Sequence, residues 1–168
     1  MRILPAAKTL DAPFVCPVMT VRPEWIDYND HLNVAYYTLI FDQSAEAACE
    51  LLGLGEDYRR AEDKTLMTAE SHINYVREIK LGSDVHSTFR LLDADAKRLH
   101  VYQELYHAEG WLAATYELMI LHIDLGAEGG PKVARMSETA QTDVQAMLAA
   151  HRDLPRTKYM GRVIGIRR

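Results

Sequence analysis

Trp25-Ile26-Asp27-Tyr28-Asn29-Asp30-His31-Leu32-Asn33-Val34-Ala35-Tyr36-Tyr37 sets turn-forming residues directly against an apolar run. The short side chains of Asp27, Asn29, Asp30 and Asn33 can satisfy free backbone N–H groups in turns and at helix starts. A helix is expected to begin near Asn33. From 34 to 52 the polar residues Thr38, Asp42, Glu46 and Glu50 recur every four positions, with Gln43 beside them, and Gly53 and Gly55 supply the stop. So narrow a polar stripe predicts a helix enclosed over most of its circumference.

Upstream, residues 1–13 carry Pro5 and Pro13 and read as an irregular lead-in, followed by a short strand over 15–22. Downstream, 56–64 reads as a charged loop. Strand periodicity then groups Met67, Ala69, Ile73 and Tyr75 on one face, Val85, Ser87, Phe89 and Leu91 on a second, and Leu99, Val101 and Leu105 on a third. The run 111–124 is apolar on both faces, as in a central strand. Turn-like groups at Gly82-Ser83-Asp84, 93–97 and 108–110 predict an antiparallel meander. Gly129-Gly130-Pro131 breaks the sheet, and Ser137 caps a last helix with Ala140, Val144, Met147 and Leu148 on one side. Arg156, Lys158, Arg162, Arg167 and Arg168 make a basic tail. Periodicity by itself supports an α+β domain.

Residues 21–37 resemble the signature of the 4-hydroxybenzoyl-CoA thioesterase-like branch of the hotdog-fold superfamily, roughly Asp-x-x-Gly-His-x-Asn-x-x-Tyr. Asp27, His31, Asn33 and Tyr36 or Tyr37 carry the match, and Asp30 departs from the usual glycine. Glycine there commonly marks close backbone approach. The resemblance covers about 15–126. It implies a five-stranded antiparallel sheet wrapped round a long central helix, followed by a C-terminal extension over 127–168, all in one domain. It also implies an acyl-CoA thioesterase that forms a homodimer or homotetramer, with coenzyme A entering only as part of the substrate.

Thioester hydrolysis needs a nucleophile at the carbonyl carbon and donors for the oxygen that becomes negative. By the resemblance, Asp27 is the catalytic carboxylate, as general base on water or as direct nucleophile. The N–H groups around Asn33, Val34 and Ala35, at the positive end of a helix, are the oxyanion donors. Asn29 orients Asp27 or simply makes the turn, and His31 is an acid, a base or a structural residue. Asp42 and Glu46 offer a second carboxylate pair, or a solvated face. Lys97 and Arg98 are the candidate contacts for coenzyme A phosphates, with Arg59, Arg60 and Lys64 behind them. A hotdog enoyl-CoA hydratase using Asp27 with His31, and a non-catalytic acyl-CoA binding module, are the competing readings.

Trp25, Tyr28, Tyr36 and Tyr37 crowd the same turn and supply rings for an acyl pocket. Such a wall suits a flat aromatic acyl group by stacking, or a quaternary ammonium acyl group by cation–π attraction. Trp-Ile-Asp-Tyr-Asn-x-His, together with Gly161-Arg162-x-Ile164-Gly165, is also similar to the thioesterase domains fused to carnitine dehydrogenases, which are associated with betainyl-CoA.

Composition narrows the alternatives. With 168 residues, 48% hydrophobic and 26% charged, the chain has the size of one globular domain. A formal net charge of -5 argues against a broad nucleic-acid or acidic-membrane surface. No apolar run is long enough to span a bilayer and the N-terminus has no signal-peptide core, so a cytoplasmic protein is expected. Cys16 and Cys49 form no CxxC pair and read as small buried hydrophobes. His72, His86, His100, His107 and His122 lie scattered without HExxH spacing, so no metal is predicted. GxSxG, P-loop and GxGxxG patterns are absent.

Overall fold

The computed structural model describes residues 11–166. Strands β1 (Phe14–Val15) and β2 (Met19–Thr20) and a 3₁₀ turn at Pro23–Trp25 precede the long helix α1 (Val34–Leu51). Helix α2 (Glu56–Glu62) leads into β3 (Lys64–Tyr75), β4 (Asp84–Ala94), β5 (Arg98–His107) and β6 (Leu112–Asp124), with β7 (Lys132–Val133) and α3 (Glu138–His151) after them. All pairings are antiparallel, in the order β1-β4-β5-β6-β3; β2 adds to β4 and β7 to β6. This is the α+β hotdog architecture, a sheet curled round one long helix.

Local chemistry fixes both ends of α1. Asn33 is the N-cap, its Oδ1 accepting from the Ala35 N–H at 3.0 Å. At the other end Gly53 takes φ +68°, and two bonds close a Schellman cap: Gly53 N–H to Glu50 O at 3.0 Å and Leu54 N–H to Cys49 O at 2.9 Å. Tyr37, Ile40, Phe41, Ser44 and Ala48 form the buried face. They pack with Val85, Phe89 and Leu91 of β4 and Leu99, Val101 and Leu105 of β5, the faces expected from periodicity. Ser137 caps α3 through Ala140 N–H, and α3 lies against β4.

Several expectations are corrected. Helix α1 is buried on one face only, with Val34, Thr38, Asp42, Gln43, Glu46 and Glu50 exposed in the single chain. The charged stretch after it is helix, not loop, and the strand expected over 15–22 is two short pieces. A bulge between Thr68 and Glu70 reverses the side-chain parity of β3, so Met67 points outward while Leu66, Ile73 and Tyr75 turn to the core side. The chain rejoins the sheet at β7 after Gly129-Gly130-Pro131. Residues 1–10 of the lead-in, and Arg167 and Arg168, lie outside the described residues.

One correction positions the site. Strand β3 pairs with β6 rather than β4, so 76–83 is a crossing segment instead of a hairpin. Leu32 N–H donates to Ile79 O (2.8 Å) and Gly82 N–H to Val21 O (3.0 Å), which binds that segment to the Asp27 turn. No helix among the described residues is long and apolar enough to cross a membrane.

Candidate active site

The turn before α1 is built by its own polar residues. Asp27 Oδ1 accepts from Asn29 N–H (2.8 Å), Asp30 N–H donates to Asp27 O (3.1 Å), and Asp27 N–H donates to His31 O (2.9 Å). Asp30 adopts φ +60°, a left-handed conformation in which glycine has no steric cost and aspartate is tolerated. That accounts for the family's usual glycine at the position where this chain departs from it. Asp27 Oδ2 has no hydrogen-bond donor among the described residues.

Next in the chain, the helix start leaves one donor open. Asn33 N–H goes to Trp25 O (2.8 Å), Ala35 N–H to Asn33 Oδ1 and Tyr36 N–H to Asn33 O (3.0 Å). Val34 N–H has no acceptor among the described residues. Of the three amides expected from sequence, Asn33 and Ala35 are therefore already committed. Val34 and Asp27 both line a cleft of about 350 Å³ with His31, Leu32 and Tyr37.

The opposite wall comes from Tyr75, Val76, Arg77 and Glu78. Tyr37 and Tyr75 meet edge to face, centroids 5.1 Å apart at 81°. Burial, the largest cause, pushes the Tyr37 phenol up to about 12; Tyr75, Glu78 and Asp27 add to that, a hydrogen bond to the Ile79 backbone opposes it, and the ring stays neutral. His31 Nε2 contacts Glu78 Oε2 at 3.0 Å, so the imidazole is engaged with Glu78 and not with the Asp27 carboxylate. Arg77 holds its guanidinium over the Trp111 ring, 4.2 Å from the centroid.

Other expected residues lie elsewhere. Trp25 is buried behind the turn, stacked on Tyr36 at 5.8 Å with Arg22 above it at 5.2 Å, and Tyr28 is 94% exposed; none of the three aromatic residues lines the cleft. Asp42 and Glu46 border a different hollow, of about 650 Å³, between α1 and the inner faces of β3 and β6. Arg98 is held by Asp95, Nη2 to Oδ2 at 2.6 Å, and Lys97 is exposed beside it. Register places Arg98 opposite Leu121 and Tyr75 opposite Ala114, seven residues apart along β6, on the order of 23 Å. The structure therefore does not bring Lys97 and Arg98 to the Asp27 cleft of the same chain. Among the described residues no group of three or more His, Cys, Asp or Glu could hold a metal ion.

Sequence reasoning missed Tyr75 and Glu78. No local signal linked them to Asp27, because the crossing segment makes the contact. An open helix-start amide and a carboxylate thus line one cleft, together with Tyr37, Tyr75 and the ionisable side chains of His31, Arg77 and Glu78. Residues 21–149 match the model of the thioesterase-like superfamily. The chain belongs to that superfamily. It is 40% identical over 147 residues to the betainyl-CoA thioesterase of Pseudomonas aeruginosa, covering 87% of this chain and 91% of that one. It is 32% identical to the L-carnitine dehydrogenase/betainyl-CoA thioesterase of a Rhizobium species, covering 88% of this chain and 29% of that longer protein. A Staphylococcus aureus protein solved in complex with CoA superposes with a TM-score of 0.85 at 27% identity, covering 96% of this chain and all of that one.

Proposed function

We propose that the chain hydrolyses the thioester of betainyl-CoA, or of a similarly compact cationic acyl-CoA, at the Asp27 cleft. The supporting observation is the meeting, in one cleft, of the Asp27 carboxylate and the open Val34 N–H at the positive end of α1. The thioester carbonyl oxygen accepts from Val34 N–H, so charge developing there is held by a fixed donor and by the helix end. Asp27 takes the proton of an attacking water, or attacks the carbonyl itself to give an anhydride that water then opens. In either route the C–S bond breaks, and coenzyme A departs as a thiolate that needs no strong acid.

The acyl group follows from reach. In a betainyl thioester the ammonium nitrogen stands two bonds, about 2.5 Å, from the carbonyl carbon. Whatever holds the cation therefore borders the same cleft. Tyr37 and Tyr75 offer neutral rings there, and Asp27 and Glu78 offer negative charge, while Arg77 is turned onto Trp111. A quaternary ammonium, which cannot donate a hydrogen bond, suits such a wall at ~0.5–2 kcal/mol per contact. The activity of the Pseudomonas aeruginosa relative, a betainyl-CoA thioesterase, points the same way. A hydratase using Asp27 with His31 is less well supported, because His31 faces Glu78. A homodimer joined at the free edge of β3, or a pair of such dimers, belongs to the same reading.

Thiol release from betainyl-CoA, its uncharged isostere 3,3-dimethylbutanoyl-CoA, and palmitoyl-CoA tests the assignment. Betainyl-CoA is expected to exceed the isostere in kcat/KM by roughly 2- to 30-fold, the ratio that such a contact energy gives. Specificity rising steadily with linear chain length contradicts it.

A further inference from the structure

The segment after α3 crosses the outer face of the sheet, strand by strand. Arg90 on β4 donates to the carbonyls of Leu154 (2.6 Å) and Pro155 (2.7 Å). Tyr102 on β5 bonds Thr157 Oγ1 (2.8 Å), and Glu117 Oε2 on β6 accepts from Gly161 N–H (2.6 Å) while its Oε1 contacts His100 at 2.8 Å. His72 on β3 then donates from Nδ1 to Arg162 O (2.7 Å). The anchors thus follow the sheet order β4, β5, β6, β3, and the segment leaves the sheet over its edge strand.

Two features of that exit are unfinished. Strand β3 has β6 on one side and no described strand on the other, so its outer backbone groups form an open edge. Past the last anchor, Val163, Ile164 and Ile166 are 82%, 86% and 90% exposed, three aliphatic side chains with nothing among the described residues to cover them. The four residues Val163–Ile166 can extend about 13 Å, more than twice the spacing of neighbouring strands.

A second copy meets both needs. In a fully overlapped antiparallel pairing of two β3 edges, Lys64 faces Tyr75 of the second copy, and His72 faces Met67. Met67 is outward and 45% exposed, and its register partner Leu121 and the nearby Met119 are half-buried on the same outer face. The segment leaving at His72 therefore arrives over an apolar patch of Met67, Met119 and Leu121.

We propose that residues 161–166 form an exchanged arm, in which Val163, Ile164 and Ile166 of each copy dock on the Met67-Met119-Leu121 patch of the other. The inference rests on the homodimer reading above and assigns a role to the Gly161-Arg162-x-Ile164-Gly165 motif that catalysis does not use. Gly161 sits at φ +69°, so the bend that sends the arm outward suits glycine.

The test is light scattering over a concentration series, with circular dichroism to verify folding. It compares the full chain, a chain ending at Arg162, the double variant Ile164→Asp/Ile166→Asp, and Met67→Asp. A dimeric full chain is expected, with the dimer dissociation constant raised by roughly tenfold or more in each altered protein, since each loses buried aliphatic area. An unchanged dissociation constant in the truncated and doubly substituted proteins overturns the arm and leaves the dimer standing. A full chain that stays monomeric overturns the dimer and the arm together. Binding to vesicles of four parts phosphatidylcholine and one part phosphatidylglycerol that is lost on truncation, with the dimer unaffected, assigns the arm to a lipid surface and overturns the proposal.

Discussion

The two ends of α1 border two hollows of opposite character. At the N-terminal end the cleft is small, about 350 Å³, and holds Asp27, an open Val34 N–H and two tyrosines. At the C-terminal end the hollow is nearly twice as large, about 650 Å³, and its rim carries Asp42, Glu46, Glu50 and Glu56. The larger hollow has carboxylates enough for a base. It runs along the C-terminal half of α1, whose negative end disfavours a developing oxyanion, and meets the start of the short α2. Its rim amide, Glu56 N–H, is already taken by Glu50 Oε1 at 2.8 Å. On the proposed reading an unspent donor beside a carboxylate marks the reacting centre, and volume and acidity do not.

Exchange of single carboxylates can break this comparison. Asp27→Asn is expected to fold, to bind acyl-CoA and to lose about 10²–10⁴ in kcat. Asp42→Asn and Glu46→Gln are expected to stay within roughly threefold of the parent, as exposed substitutions away from the chemistry usually do. Steady-state thiol release measures all three; near-parental turnover of Asp27→Asn with collapse of either helix variant would move the site to the larger hollow.

A smaller effect concerns the aromatic wall. Tyr75→Leu removes one ring from the cleft while leaving Asp27 and Val34 in place. The preference for betainyl-CoA over its uncharged isostere should fall by roughly 2- to 30-fold, with turnover of the isostere little altered. Equal loss on both substrates would mean that Tyr75 only packs. Trp25→Ala, by contrast, removes a buried ring behind the turn, so its cost should appear in stability and on every substrate alike.

The smallest expected effect is none at all. Cys49 lines the larger hollow, and burial together with Asp42, Glu46 and Glu50 pushes its thiol up to about 12. It is therefore protonated at pH 8 and a poor nucleophile. Iodoacetamide at that pH should leave Cys49 unmodified by mass spectrometry and activity intact. Rapid alkylation accompanied by inactivation would tie the larger hollow to catalysis.

What could be read in advance was what the chain decides locally. Asn33 caps α1 because its side chain needs only to reach an amide two residues on, and Gly53 stops the helix by adopting a positive φ. The faces of β4 and β5 were equally legible over 85–91 and 99–105, since the irregularity in β4 comes only after Leu91. On β3 one extra residue near Ala69 reversed the alternation, and no composition cue announced it. Helix α2 escaped because its charges read as a solvated loop, although Arg59 and Asp63 stand at helical spacing and pair at 2.8 Å. Asp27 stood out by its motif. Its partners Tyr75 and Glu78 were not, because the crossing segment that delivers them is tied to the turn by long-range bonds such as Leu32 N–H to Ile79 O. Trp25 and Tyr28 do not line the cleft of the same chain for a related reason: flanking Asp27 in a turn says nothing of where a ring points.

The central claim, that α1 supplies its oxyanion donor through one open amide, has a direct test in Val34→Pro. Val34 is the first residue of the helix, where proline is tolerated, and Asn33 already has the extended conformation that a following proline requires, φ -61° and ψ 142°. The substitution deletes one N–H and leaves Asp27 and both tyrosines in place. Stopped-flow single turnover of betainyl-CoA should slow by about 10²–10³, the usual cost of one oxyanion donor, with substrate affinity and thermal unfolding close to the parent. A folded Val34→Pro protein that turns over at the parental rate would contradict the account.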